Sequence, residues 1–268
     1  MEYLTPGTGP MNQSVNPHRS AALRRFAVPI LLLAMTNAST AAPDYSAFDE
    51  LLLQHVGNGF VNYAGIEANP KFHSFVQQVG ETDAGSLLER NDQLTFYINA
   101  YNALAIQGVL DGYSPASLWG RYKFFKSKKF VVLGKKINLF DLERKILIPM
   151  REPRIHFAIV CASMSCPRLS NRAYLPETLE QQLDAGARHF INDISRNHFD
   201  LPRRIAYVSK IFDWYRKDFE GAAGSVQQYL ASYVEDAEVA KALDNDEFDV
   251  RFLKYDWNLN GRRGLRPD

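Results

Sequence analysis

Asn91-Asp-Gln-Leu-Thr-Phe-Tyr-Ile-Asn-Ala-Tyr-Asn-Ala-Leu-Ala-Ile-Gln-Gly-Val-Leu110 is the strongest helical pattern in the chain. Leu94, Phe96, Ile98, Ala100, Tyr101, Leu104, Ile106 and Val109 spread apolar groups almost all round its circumference. A helix without a polar face has to be enclosed by protein. Asp111-Gly112 and Ser114-Pro115 supply the stop signals. The fold is therefore expected to be built around one buried helix, with the flanking segments as its cover.

On the N-terminal side, Asp44 to Gln54 and Pro70 to Val79 read as amphipathic helices, separated by Gly57, Gly59 and Gly65 around Phe60–Tyr63. On the C-terminal side, Lys129–Leu133 and Ile137–Leu139 flank Gly134-Lys135-Lys136 and read as a hairpin. Asp141–Leu147 reads as a helix. Ile155–Cys161 (IHFAIVC) reads as a strand, from its β-branched content and length. Pro176–Asp193, Lys210–Phe219 and Gly224–Tyr233 have helical patterns, and Ile205–Val208 and Phe248–Trp257 read as strands. This order is not a regular βαβ series. It implies an α+β single domain with a buried central helix packed on a mixed or antiparallel sheet.

Length and composition bound the class. The 268 residues are 46% hydrophobic and 23% charged, with a formal net charge of +1. That excludes a disordered or repeat-dominated chain. It also argues against nucleic acid or an anionic membrane as the main partner, since either favours a basic excess. Residues 1–42 have the order of a secretory signal: basic His18, Arg19, Arg24 and Arg25, an apolar run from Phe26 to Met35, and a small polar stretch ending in Ala41-Ala42. Ten apolar residues are too few to span a hydrocarbon core, which takes about 20. Residues 43–268 are expected to form one exported domain, periplasmic or secreted, with no integral membrane segment once the signal is removed.

The residues with chemical potential are few. Cys161 and Cys166 are the only cysteines. In an exported protein two nearby thiols suggest a disulfide; a reactive thiol on a strand-end loop and a redox pair are the other readings. His156 is a candidate base. In a strand it would share a face with Ala158 and Val160, opposite Cys161 and about 16 Å from it, which disfavours a direct pair. Asn99 and Asn102 share a face of the central helix. They are expected either to anchor loops or to orient a histidine or an oxyanion. Glu143 is a further carboxylate candidate. Asp213-Trp214-Tyr215, Asp218-Phe219 and Tyr255-Asp256-Trp257 read as aromatic core with solvated charges. Lys123–Lys129 reads as a hairpin edge protected by lysines. The histidines show no metal-ligand spacing, and no phosphate loop is present, so neither metal nor cofactor is expected.

Four blocks carry a family resemblance. Phe96–Leu104 (FYINAYNAL), Arg154–Ser163 with Ser165–Leu169 (RIHFAIVCAS, SCPRL), Ser209–Tyr215 with Asp218-Phe219, and Tyr255–Asn260 (YDWNLN) resemble, in order, the motifs of the domain of unknown function 547 family. That resemblance implies a distant relation to papain and transglutaminase-like proteins and hence a papain-like architecture. Those enzymes place a nucleophilic cysteine at the start of a central helix. Here that helix has no cysteine, and both cysteines lie downstream.

Three functions are open on this reading. The leading one is a binding or scaffold module of the cell envelope, with an envelope protein or peptide-like ligand as partner. The first alternative is a thiol-dependent hydrolase or acyl transferase acting on amide or peptide bonds. Its candidate residues are Cys161, Cys166, His156, Asn99, Asn102 and Glu143. The second alternative is thiol–disulfide chemistry at Cys161 and Cys166.

Overall fold

Arg90–Leu110 forms the expected buried helix in a computed structural model that describes residues 43–262. The signal read at residues 1–42 lies outside the described residues. The first turn is closed by the Glu89 N–H, which donates to Asp92 Oδ2 at 3.0 Å. Gly112, at φ +93°, turns the chain away beyond the helix end.

The helices Tyr63–Glu67 and Pro70–Glu81 and the turns at Leu139–Leu142 and Glu143–Leu147 pack directly against it. Leu94, Ile98, Leu104 and Val109 are almost fully excluded from water there, together with Phe72, Phe75 and Leu142. Burying each such side chain stabilises the fold by about 1.5–3 kcal/mol. A second core gathers Phe157, Phe190, Phe212, Phe219, Tyr229 and Leu230. The helices Leu179–Ile191, Arg216–Ala223 and Val226–Ala231 contribute to it.

The sheets are small and mixed, as an α+β fold requires. Phe60–Asn62 pairs antiparallel with Val56–Gly57 and parallel with Gly261–Arg262. Ile205–Val208 pairs antiparallel with His198–Asp200 and parallel with Asp249–Phe252. Phe130–Val132 and Lys135–Ile137 form the expected hairpin. Its turn residues Leu133 (φ +50°) and Gly134 (φ +72°) both have positive φ, which matches the twist of the two strands. No helix among the described residues is long and apolar enough to cross a membrane.

Three segments differ from their expected form. Ile155–Ala158 is a helical turn, not the start of a strand. Its backbone is satisfied locally: the Ile155, His156, Phe157 and Ile159 N–H groups donate to Glu152, Pro153, Arg154 and Ile155 carbonyls. The turn lies between the two cores, with Ile155 and Ala158 in the first and Phe157 in the second. A segment enclosed on both sides is apolar throughout, so its sequence has no period to distinguish helix from strand. Lys123–Ser127 is a wide helical turn following Leu118–Tyr122, and the hairpin begins only at Phe130. The strand expected over Phe248–Trp257 covers only Asp249–Phe252, and residues beyond it run along the 162–165 loop.

Candidate functional site

The central helix sets the path of the chain into the site. Asn102 donates from Nδ2 to the Ala158 carbonyl at 2.9 Å and accepts the Val160 N–H at 2.9 Å. One side-chain amide thus does the work of a neighbouring strand, satisfying a buried carbonyl and a buried N–H together. Asn99 does the same for Tyr174, donating to its carbonyl (2.8 Å) and accepting its N–H (3.0 Å). Both amides are spent on backbone, and among the described residues neither is hydrogen-bonded to His156.

Held by Asn102, the chain delivers Cys161 at the end of an extended run. Ala162 follows at φ +59°, a left-handed conformation that costs an alanine energy. Strain of this kind persists only where the surroundings over-determine it. Here the C-terminal motif does so. The Met164 and Ser165 N–H groups donate to the Asn258 and Asp256 carbonyls at 2.7 and 3.0 Å, and the Asn260 N–H donates to the Ala162 carbonyl at 3.1 Å. The Asp256 N–H returns a bond to Ser165 Oγ at 2.8 Å.

This pairing brings Tyr255 to the cysteine. Cys161 Sγ lies 3.2 Å from Tyr255 Oη and 3.0 Å from Ser163 Oγ, and Ser163 donates to Tyr255 Oη at 3.1 Å. The Cys161 N–H lies 2.8 Å from Cys166 Sγ. Both cysteines are free thiols, so the disulfide read as one possibility is not formed in the structure. Burial pushes the Cys161 thiol up, but hydrogen bonds from Cys166, Ser163 and Tyr255 outweigh it and bring the thiol down to about 7. Burial pushes Cys166 well above its ordinary value, and its contact with Cys161 adds to that. Burial and the neighbouring thiols also raise Tyr255, which stays a phenol and a donor. Of the two thiols, Cys161 is therefore the one held as thiolate near neutral pH.

His156 belongs to the same cavity. Its helical turn places Nε2 2.7 Å from Asp218 Oδ2, and its ring stacks on Tyr215 at 3.8 Å between centroids. A carboxylate only accepts, so Nε2 carries the proton, and in the neutral ring Nδ1 is then left with its lone pair. Nδ1 is buried and has no hydrogen-bond partner among the described residues. On the far side of Tyr215, its hydroxyl donates to Glu143 Oε1 at 2.6 Å. Glu143 is thus linked to His156 through an aromatic ring and not by direct contact.

The cavity holds about 420 Å³ and is lined by Cys161, Cys166, His156 and Glu143 together. The strand expected at 155–161 would have kept His156 and Cys161 on opposite faces; with a helical turn followed by an extended run, both line the one cleft. Trp214, Tyr255 and Trp257 stack against one another at 4.5–5.5 Å and form another wall. Phe125 and Phe140 line it as well. Sequence reasoning assigned Trp214, Tyr255 and Trp257 to core, placed Phe125 on a hairpin edge, and missed Asp218, Ser163 and Tyr255 as partners. Their signal was present in the aromatic–carboxylate clusters at 213–219 and 255–257, but nothing in the spacing ties them to Cys161 or His156. Among the described residues, no group of three or more His, Cys, Asp or Glu side chains is arranged to hold a metal ion.

Fold and site together define an α+β domain whose central helix positions a thiol-bearing, aromatic-walled cleft. Residues 86–191 match the model of the family described as "Protein of unknown function, DUF547". The matched stretch contains Asn99, Asn102, Glu143, His156, Cys161 and Cys166; Asp218 and Tyr255 lie beyond it. Comparison with curated proteins and with solved structures gave no match.

Proposed function

We propose that this protein is a thiol-dependent hydrolase or acyl transferase with Cys161 as nucleophile. The observation that carries this reading is the set of donors around Cys161 Sγ, in a cleft that also contains a histidine oriented by a carboxylate. In the proposed reaction the proton of the Cys161 thiol passes to Nδ1 of His156, and the resulting thiolate bonds to a substrate carbonyl carbon. The tetrahedral species collapses and expels an amine or alcohol, which takes a proton from His156. Water, or an acceptor amine or alcohol, then gives a proton to His156, attacks the thioester and releases the thiolate. Asp218 holds the ring in the required tautomer. Cys166 remains a thiol, stabilising Cys161 without reacting. The thiol chemistry of papain-like proteins is the comparison this mechanism invites, and the secretory pattern of residues 1–42 supports an exported site of action.

Hydrolysis of 4-nitrophenyl esters tests the reading. Cys161→Ala is expected to abolish turnover, and Cys166→Ala to slow it while leaving it measurable. Full turnover by a folded Cys161→Ala protein overturns the assignment.

Two other readings each rest on one observation. The aromatic walls also suit a binding or scaffold module, which would capture a ligand stoichiometrically without turnover. The adjacent thiols suit thiol–disulfide chemistry, which would require Cys161 and Cys166 to cycle with an external disulfide.

A further inference from the structure

Three cations, Arg121, Lys126 and Arg144, are part of the cleft lining, and Glu143 is the only carboxylate there among the described residues. Glu143 Oε1 already accepts from Tyr215 Oη. Each cation rests on an aromatic ring: Arg121 over Trp257 at 4.6 Å, Lys126 over Phe140 at 4.3 Å, and Arg144 over Tyr215 at 5.0 Å. Their carboxylate partners are scarce. Arg144 lies 3.6 Å from Glu143, while Arg121 and Lys126 have no ion pair among the described residues. Arg154, by contrast, meets Glu152, Glu180 and Asp184 at 2.6–3.0 Å. Arg121 and Lys126, held on ring faces and without an ion pair in a cleft that contains a thiol, provide an anion-binding rim.

We propose that the cleft takes acyl substrates that combine an apolar body with a carboxylate, the body stacking on Trp214 and Trp257 and the carboxylate meeting Arg121 and Lys126. The inference deepens the acyl-transfer reading of the same cleft and rests on it for the chemistry, though not for the binding. Arg121 offers a planar fork that matches a carboxylate, and Lys126 a mobile point charge. The reaction is balanced as above: the Cys161–acyl bond forms as the bond to the leaving oxygen or nitrogen breaks, and water restores the thiol.

Two paired comparisons test the proposal. The first follows hydrolysis of mono-4-nitrophenyl glutarate against 4-nitrophenyl pentanoate, which have the same chain length and differ in the terminal charge. The glutarate is expected to show kcat/KM at least about tenfold higher, carried mainly by KM, with the preference shrinking in Arg121→Gln and Lys126→Gln. The second measures calorimetric binding of 4-phenylbutyrate against 4-phenylbutyramide, using both the unaltered protein and Cys161→Ala. The acid is expected to bind at least about fivefold tighter, and less so at raised salt. Equal affinities, or no saturable binding of the acid, overturn the proposal. Preferential binding of the acid without any ester turnover would instead sustain the carboxylate site and remove the acyl-transfer reading.

Discussion

The Tyr255 hydroxyl lies 3.2 Å from the Cys161 sulfur, across 94 residues of chain. The contact exists because the C-terminal Tyr255–Asn260 segment pairs with the 162–165 loop, and it makes the thiol's reactivity depend on the docking of that segment. Removing the hydroxyl with Tyr255→Phe keeps the ring packing on Trp214 and Trp257. A hydrogen bond to a charged group contributes about 1.5–3 kcal/mol, or about one to two pH units of thiol acidity. Tyr255→Phe is therefore expected to shift the midpoint of iodoacetamide alkylation upward by that amount. An unchanged midpoint would show that Tyr255 does not stabilise the thiolate.

The pH dependence in the unaltered protein has a definite sign. Cys161 is lowered to about 7 and reacts as the thiolate. Its alkylation rate is expected to rise as pH increases through about 7 and to level off above it. Cys166, pushed up by burial, is expected to stay unlabelled over the same range. Peptide mass spectrometry after timed alkylation reads both sites in one experiment, and faster labelling of Cys166 would reverse the assignment of the two thiols.

Asp218 accepts from His156 Nε2 at 2.7 Å and is partly exposed. Asp218→Asn should leave the fold intact while removing the carboxylate that fixes the tautomer. In a Cys–His mechanism, ester turnover is expected to fall by about a hundredfold to ten-thousandfold. Alkylation of Cys161 is expected to persist, because its donors are Cys166, Ser163 and Tyr255. Undiminished turnover in Asp218→Asn would exclude His156 as the proton carrier.

Asn102 bonds the Ala158 carbonyl and the Val160 N–H from inside the core. Asn102→Leu approximates the volume but leaves two buried backbone groups unpaired, each costing about 1–3 kcal/mol. Urea denaturation is expected to show a loss of about 2–5 kcal/mol. A stability within about 0.5 kcal/mol of the unaltered protein would mean that the loop reorganises and the amide is not its anchor.

The central helix was legible because an apolar residue set covering every side of a 20-residue pattern has one physical solution, enclosure. The hairpin at 130–137 and the amphipathic helices were legible for the same kind of reason, a period or a turn signal. The segment 155–161 was not. Its two cores cover it from both sides, so its sequence carries hydrophobicity without period, and the change from helical turn to extended chain at Ile159 depends on Asn102, which lies 58 residues before Val160. The site was legible as a set of residue types but not as pairs. His156 finds Asp218 across 62 residues, and Cys161 finds Ser163 beside it but Tyr255 far away. No spacing rule joins partners that only tertiary packing brings together. Glu143 was singled out as a carboxylate candidate, but its burial, its partner Tyr215 and the stack of Tyr215 on His156 emerge only from the fold.

The central claim is that Cys161 forms the covalent acyl intermediate. The most direct measurement is acid quenching during turnover of mono-4-nitrophenyl glutarate, followed by peptide mass spectrometry. The account predicts a burst of nitrophenolate near one equivalent and a glutaryl thioester on the peptide containing Cys161, absent from Cys161→Ala. A burst with the label on Cys166 or elsewhere, or no acyl-protein under turnover, would contradict it.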